Sequence, residues 1–287
     1  MKNSRNSARI LLLAAIALGS TDALFTRLSG SSSPAVPFYR ELFSLMTLGS
    51  VCLLSGADIR RALEDGGLPL ALSAVCMSLT GITFTIATQH AGSSIALIYY
   101  GLSPFFAAIL SYIWLRERPT LVTVIAIALS ACGIVWMNRN GVGAVPLKYH
   151  LVAMLSPICL AINFTNQRRH QNIDRRVSCA FGSLFGVVFC FLLNAGRVAL
   201  PVKAVLPLMV FGLFIAPLGM LVQNFSTKKL FSFEVSLISS TECVFGILWV
   251  FIFLGERPSF DELAGAAIIF IAVLLNNLQE LRKREIT

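Results

Sequence analysis

A carboxylate in the middle of a long apolar run has two chemical uses: it can bind an amine, or it can carry a proton. Glu242 stands in that position, inside FEVSLISSTECVFGILWVFIFL. Helical spacing puts Ser239, Glu242, Gly246 and Trp249 on one face, and the small residues leave room beside the carboxylate. Its plainer use is structural, as a brace for Arg40 or a cap in a broken helix. Asp22 is the second such group, on a stripe with Ala15, Gly19 and Thr26. Arg27 and Arg40 are near enough in the chain to pair with it, which would make it a brace rather than a carrier. Tyr100, Asn163 and Gln223 add hydrogen-bonding groups that could orient a ligand or simply bridge helices, and Trp249 could line a site or anchor an interface. The candidate substrate-binding or coupling set is therefore Glu242, Asp22, Tyr100, Asn163, Gln223 and Trp249. Arg40, Glu41, Pro104, Glu117 and Glu256 form a gating or structural set. Arg40 and Glu41 are expected at the outer end of a span, where long side chains reach water cheaply.

No catalytic array accompanies these groups. His90, His150 and His170 are scattered, and no HExxH, CxxC, GxSxG or GxxxxGK[ST] pattern occurs. The seven cysteines all fall in apolar runs and read as packing residues rather than a disulfide or metal framework. The expectation is no enzyme, no metal and no cofactor. The partners expected are a small-molecule substrate and membrane lipids, with no nucleic acid, for a monomer or homodimer.

What must position the carboxylates is a set of membrane spans. The chain is 56% hydrophobic and 13% charged, where soluble domains average about 25% charged. Apolar stretches near the ~20 residues that a bilayer-crossing helix needs recur along its length. The predicted spans are Arg9–Leu28, Val36–Ser55, Leu68–Thr88, Ser93–Leu115, Leu121–Met137, Leu151–Gln167, Val177–Asn194, Val205–Phe225, Phe233–Leu254 and Leu263–Leu278. The basic start followed by ILLLAAIALGS resembles a secretion signal, but the apolar run continues to Leu28, so an uncleaved first helix is expected.

Charge then orients the spans. With the N-terminus inside, the inner segments hold Lys2, Arg5, Arg9, Arg60, Arg61, Arg116, Arg118, Arg168, Arg169, Arg175, Arg176, Lys228, Lys229, Arg282, Lys283 and Arg284. The outer loops hold only Arg139, Lys148, Arg197, Lys203 and Arg257, with Arg27 and Arg40 at span ends. Basic residues resist translocation, so both termini are expected in the cytoplasm. The net charge of +9 needs no other explanation.

LRERP at Leu115–Pro119 returns as LGERP at Leu254–Pro258, 139 residues later. The longer segments AGSSIALIYYGLSPFFAAILSYIWLRERPT and LFSFEVSLISSTECVFGILWVFIFLGERPS keep step around these motifs. Five spans separate the copies, so the second must cross in the opposite sense. The fold expected is an all-α membrane protein of ten transmembrane helices, built from two five-helix inverted-topology repeats at residues 1–140 and 141–287. Secondary transporters use that architecture to build a site near the bilayer midplane. Glu117 and Glu256 end their helices at the surface in both copies and are expected to be architectural, as caps or arginine partners.

These residues resemble the drug/metabolite transporter superfamily, in its ten-helix type with two EamA-like halves, over essentially the whole chain. LIYYGLSPFFAAILSYIWLRE, with Pro104 and Glu117, is similar to the family's fourth-helix motif, and SSTECVFGILWVFIFLGE, with Glu242 and Glu256, to its ninth. VPFYRELF supplies Arg40 after Pro37 in the second. Cys243 stands where the family commonly has proline, so the proline that would kink the ninth helix is missing. The resemblance implies a transporter, often an exporter of amino acids or related metabolites, in a bacterial cytoplasmic membrane. It implies a cavity lined by helices one, three, four, six, eight and nine, worked by alternating access. Proton coupling, uptake and facilitated diffusion stay open at this stage.

Overall fold

The computed structural model describes residues 2–137, 145–255, 260–261, 263–265, 267–268, 270–272 and 275. Glu256 lies outside them. The described secondary structure is helical: α1 (Lys2–Gly19), α2 (Asp22–Leu28), α3 (Val36–Leu54), α4 (Ile59–His90), α5 (Ser93–Gly101), α6 (Ser103–Leu110), α7 (Leu121–Met137), α8 (Leu147–Arg169), α9 (Arg175–Leu193), α10 (Val202–Val210), α11 (Ala216–Ser226), α12 (Ser232–Ser239) and α13 (Glu242–Leu254). A π-helical turn, Ser111–Leu115, extends α6, and another, Phe211–Ile215, joins α10 to α11. Seven helical stretches are long and apolar enough to cross a bilayer, and Leu121–Gly133 and Leu263–Ala272 are shorter apolar helices. Large side chains such as Leu54 (89% exposed) and Leu53 (75%) line the outside. In water such a surface would drive association; in a membrane it faces lipid. The chain is a multi-pass membrane protein.

Local chemistry explains where helices start and stop. Asp58 caps α4 by accepting from Arg61 N at 3.1 Å, and Asp174 caps α9 by accepting from Arg176 N at 2.9 Å. Gly67, at φ 43°, breaks α4 into a short amphipathic turn and the long helix that follows. Helix packing relies on small residues, as expected where lipid supplies no hydrophobic drive between helices. On α9, Ser178, Gly182, Gly186 and Cys190 form a buried stripe that lies against α3 and α4. A Cβ on Gly186 would stand 2.6 Å from Ser78 Oγ and 2.7 Å from Glu41 Cγ, so only glycine permits this approach.

The two halves interleave: α4 packs along α8, α3 along α9, and α12 against α6 and α8. Asn166 Nδ2 donates to both Pro69 O and Ser73 Oγ at 2.7 Å, joining α8 to α4.

The repeated segments share more than sequence. Arg116 has a left-handed backbone (φ 56°), and so does Gly255 (φ 68°), its counterpart 139 residues on. A left-handed conformation costs a non-glycine residue roughly 1–2 kcal/mol, and the Arg116 side chain is exposed. Arg116→Gly should therefore raise stability by about 1 kcal/mol, read as a higher melting temperature of the purified protein. An unchanged or lower value would mean that the Arg116 side chain offsets its own strain. Glu117 beside it pairs with Arg168 Nε at 3.3 Å.

Candidate functional site

Three of the apolar runs are interrupted near their middle, and two interruptions deliver a carboxylate. In the first, α1 ends at Gly19 and α2 begins with Asp22; in the other, α12 ends at Ser239 and α13 begins with Glu242. The intervening residues are Ser20-Thr21 and Ser240-Thr241. Each hydroxyl donates to the carbonyl three residues back: Ser20 to Ala17 (2.8 Å), Thr21 to Leu18 (2.7 Å), Ser240 to Leu237 (2.7 Å) and Thr241 to Ile238 (2.6 Å). Hydroxyls that take backbone carbonyls compete with the helical ladder. The Thr21 and Thr241 amides accordingly bond to the carbonyl three rather than four residues back.

The third interruption separates α5 from α6 at Leu102, ahead of Pro104. It falls at the place in its copy that Thr241 holds in the other. The missing proline at Cys243 therefore does not leave the later helix continuous: hydroxyl back-bonding breaks it instead.

These breaks border a cavity of about 80 Å³. Its lining includes Gly19 and Asp22 from the first predicted span, and Met77, Thr80, Gly81 and Phe84 from the third. Tyr100 comes from the fourth, Leu160 and Asn163 from the sixth, residues from Phe211 to Asn224 from the eighth, and Glu242 from the ninth. Those are the helices the family resemblance implied. The second adds Arg40.

Arg40 and Glu41 lie in the first two turns of α3, at the span end where the sequence placed them, but they are 7% and 1% exposed and do not reach water. The reason is specific pairing. Arg40 Nη2 meets Asp22 Oδ2 at 2.7 Å, Nη1 donates to Thr85 Oγ1 at 2.7 Å and to Gly81 O at 3.1 Å, and the guanidinium lies 5.3 Å from the Phe211 ring centroid. Thr85 thus helps to hold the arginine. Glu242 neighbours Tyr100, and Gln223 lines the same cavity beside them. Arg40 is thus committed to Asp22, and Glu242 is the carboxylate of the cavity without its own arginine.

The other candidates divide. Asn163 donates to Asn224 Oδ1 at 2.9 Å and accepts from Gln167 Nε2 at 3.1 Å, so it belongs to a chain of amides in the cavity wall. Asn224, which sequence reasoning missed, also donates to Met220 O at 2.7 Å. Trp249 is not among the lining residues: its indole donates to Ala17 O at 2.7 Å, tying α13 to the end of α1. Pro104 is buried in the first turn of α6.

The chain start and the segment after α11 meet at one end of the bundle. Arg9 Nη2 pairs with Glu234 Oε1 at 3.1 Å, both buried. Arg5 and Arg168 approach the Phe231 ring at 5.5 and 5.3 Å, and Arg5 Nε donates to Lys229 O at 2.8 Å. At the opposite end a cleft of about 290 Å³ is lined by Thr26, Arg27, Gly30, Ser31, Ser32, Thr88 and Gln89.

Residues 7–139 and 147–278 each match the model of the EamA-like transporter family. The chain belongs to this family. Its two matched segments correspond to a duplicated unit. A solved crystal structure shares the fold with a TM-score of 0.80 over 96% of this chain and 98% of its own, at 18% identity. A search of curated proteins found no match. Family membership makes the chain a membrane transporter of the drug/metabolite type.

Proposed function

We propose that this transporter moves a small amine-bearing metabolite, an amino acid or a related compound, by alternating access, and that it exports it across a bacterial cytoplasmic membrane. The observation that carries this reading is the charge arrangement of the cavity. Arg40 and Asp22 offset one another at 2.7 Å, so Glu242 supplies the unbalanced negative charge that an amine would meet. Tyr100 and Gln223 stand ready to orient the rest of the molecule. A water needs roughly 10–15 Å³ of such space, so about 80 Å³ suits a compound of only a few heavy atoms. That argues against a large substrate.

In this reading α3, Leu121–Gly133 and Leu263–Ala272 also cross the bilayer, giving ten helices in two inverted five-helix repeats with both termini cytoplasmic. The contacts of Arg5, Arg9, Arg168, Phe231 and Glu234 then tie the cytoplasmic end, and the broken helices are the joints about which the two ends alternate. Export is the direction that the family resemblance implies.

Purified protein in liposomes should exchange a labelled zwitterionic or cationic amine for unlabelled compound inside. It should discriminate at least tenfold against an equally sized carboxylic acid lacking the amine. Equal exchange of both, or of neither while larger neutral compounds pass, would overturn the amine reading.

A further inference from the structure

A second buried carboxylate niche lies outside the cavity, where α3, α4 and α9 meet. Glu41 is 1% exposed, and neither carboxylate oxygen has a hydrogen-bond partner among the described residues. Three buried serine hydroxyls share its condition: Ser44 one turn along α3, Ser78 on α4 and Ser183 on α9. Ser183 is close enough to interact with the carboxyl but does not meet hydrogen-bond geometry. Gly186 brings Ser78 Oγ and the Glu41 side chain to the same notch, since a single Cβ there would touch both. An unpaired buried charge is costly, and Glu41 with Ser78 and Ser183, three unsatisfied oxygen-bearing side chains in one place, wants a positive charge of small size. Oxygen donors of this kind suit a hard, compact cation.

The nearest charge is Arg40. A Cβ on Gly81 would lie 3.0 Å from Glu41 Oε1 and 3.7 Å from Arg40 Cζ, so the glycine alone separates the niche from the guanidinium. Arg40 is already bonded to Asp22, Thr85 and Gly81 O. The remaining titratable groups facing Glu41 are Asp22 beyond Arg40 and the Cys190 thiol of α9.

We propose that the Glu41–Ser78–Ser183 niche is a coupling-cation site, taking one proton or one sodium ion, and that it communicates with the substrate cavity through Arg40. With the cation bound, Glu41 is satisfied and Arg40 stays on Asp22. When the cation leaves, the Glu41 carboxylate competes with Asp22 for Arg40, and the balance of charge in the cavity changes. The cation site stands on the niche geometry alone; its role in driving transport rests on the transporter reading above.

Two measurements keep those claims apart. Infrared difference spectra of purified protein films, with no substrate present, are recorded on switching between acid and alkaline buffer, and between sodium chloride and choline chloride at fixed pH. One switch should produce a carboxyl band that Glu41→Gln lacks, and the identity of the switch names the cation. In Ser78→Ala/Ser183→Ala protein, which keeps the carboxyl, the midpoint of that switch should move at least threefold in cation concentration. Transport is then read in liposomes with the amine that wild-type protein exchanges fastest: Glu41→Gln should keep exchange within about twofold and lose accumulation driven by the same cation gradient. If Glu41→Gln spectra match wild type under both switches, or the serine variant's midpoint is unmoved, the cation site is overturned. If the spectra change as expected but accumulation is intact, the coupling role is overturned. Absence of exchange by wild-type protein would instead count against the amine cavity and leave the spectral result standing.

Discussion

Glu242→Gln protein should fold and yet lose substrate exchange and gradient-driven accumulation together. Glutamine keeps the shape and the contact with Tyr100 but removes the one cavity charge that Arg40 does not offset. A hydrogen bond to a charged group contributes roughly 1.5–3 kcal/mol, so the apparent affinity for an amine should weaken by about 10- to 100-fold. A neutral analogue lacking the amine should be affected far less, because it never used the charge. Exchange assays in liposomes at several substrate concentrations separate weakened affinity from a lost conformational step. Retained exchange with lost accumulation would assign the coupling ion to Glu242 and remove it from Glu41. Unchanged behaviour in both assays would reduce Glu242 to a structural partner of Tyr100.

The largest effect on stability is expected at Arg40. Removing one member of a buried ion pair strands the other and costs about 3–5 kcal/mol, whereas removing both is often neutral. Arg40→Met should therefore lower folded yield and melting temperature sharply, because Asp22 is left 5% exposed with no counter-charge. Arg40→Met/Asp22→Asn should recover most of that loss. Amine exchange should recover with it, since the pair is neutral as a whole and Glu242 keeps the net charge of the cavity. Size-exclusion profiles of the detergent-solubilised variants read the first outcome, and liposome exchange reads the second. A double variant as unstable as Arg40→Met would shift the stabilising role to the Thr85, Gly81 and Phe211 contacts of the guanidinium.

Asp22, Tyr100, Asn163, Gln223 and Glu242 were legible as candidates because polar groups are expensive in an apolar span, so each stands out against its neighbours. The same contrast did not reveal that Arg40 and Glu41 are buried. Counting residues from a span end measures depth along the helix axis, but it is blind to which neighbour the side chain faces. Trp249 is taken up by a partner distant in the chain, the Ala17 carbonyl. One signal was available and is now clear. Ser-Thr-acid occurs at Ser20–Asp22 and again at Ser240–Glu242, each inside an apolar run, and hydroxyl pairs in that setting interrupt helices. Asn224 and the Arg9–Glu234 pair had no comparable mark, since each is defined by a partner distant in the chain.

Composition, the positions of apolar runs and the repeated Glu-Arg-Pro ending were enough to determine a duplicated helical membrane protein and to pick out its mid-span carboxylates. Those properties are legible because lipid imposes one rule on every residue of a span, whatever its tertiary partners. Which carboxylate keeps an arginine, which is left to meet a ligand, and which is enclosed with Ser78 and Ser183 were decided only by tertiary structure. Asp22, Glu41 and Glu242 are alike as residues in apolar surroundings. They differ because α3 brings Arg40 to Asp22, α13 carries Glu242 to Tyr100, and the glycines of α4 and α9 close around Glu41. Contacts between segments that are far apart in the chain, 142 residues for Tyr100 and Glu242, assign a separate electrostatic setting to each.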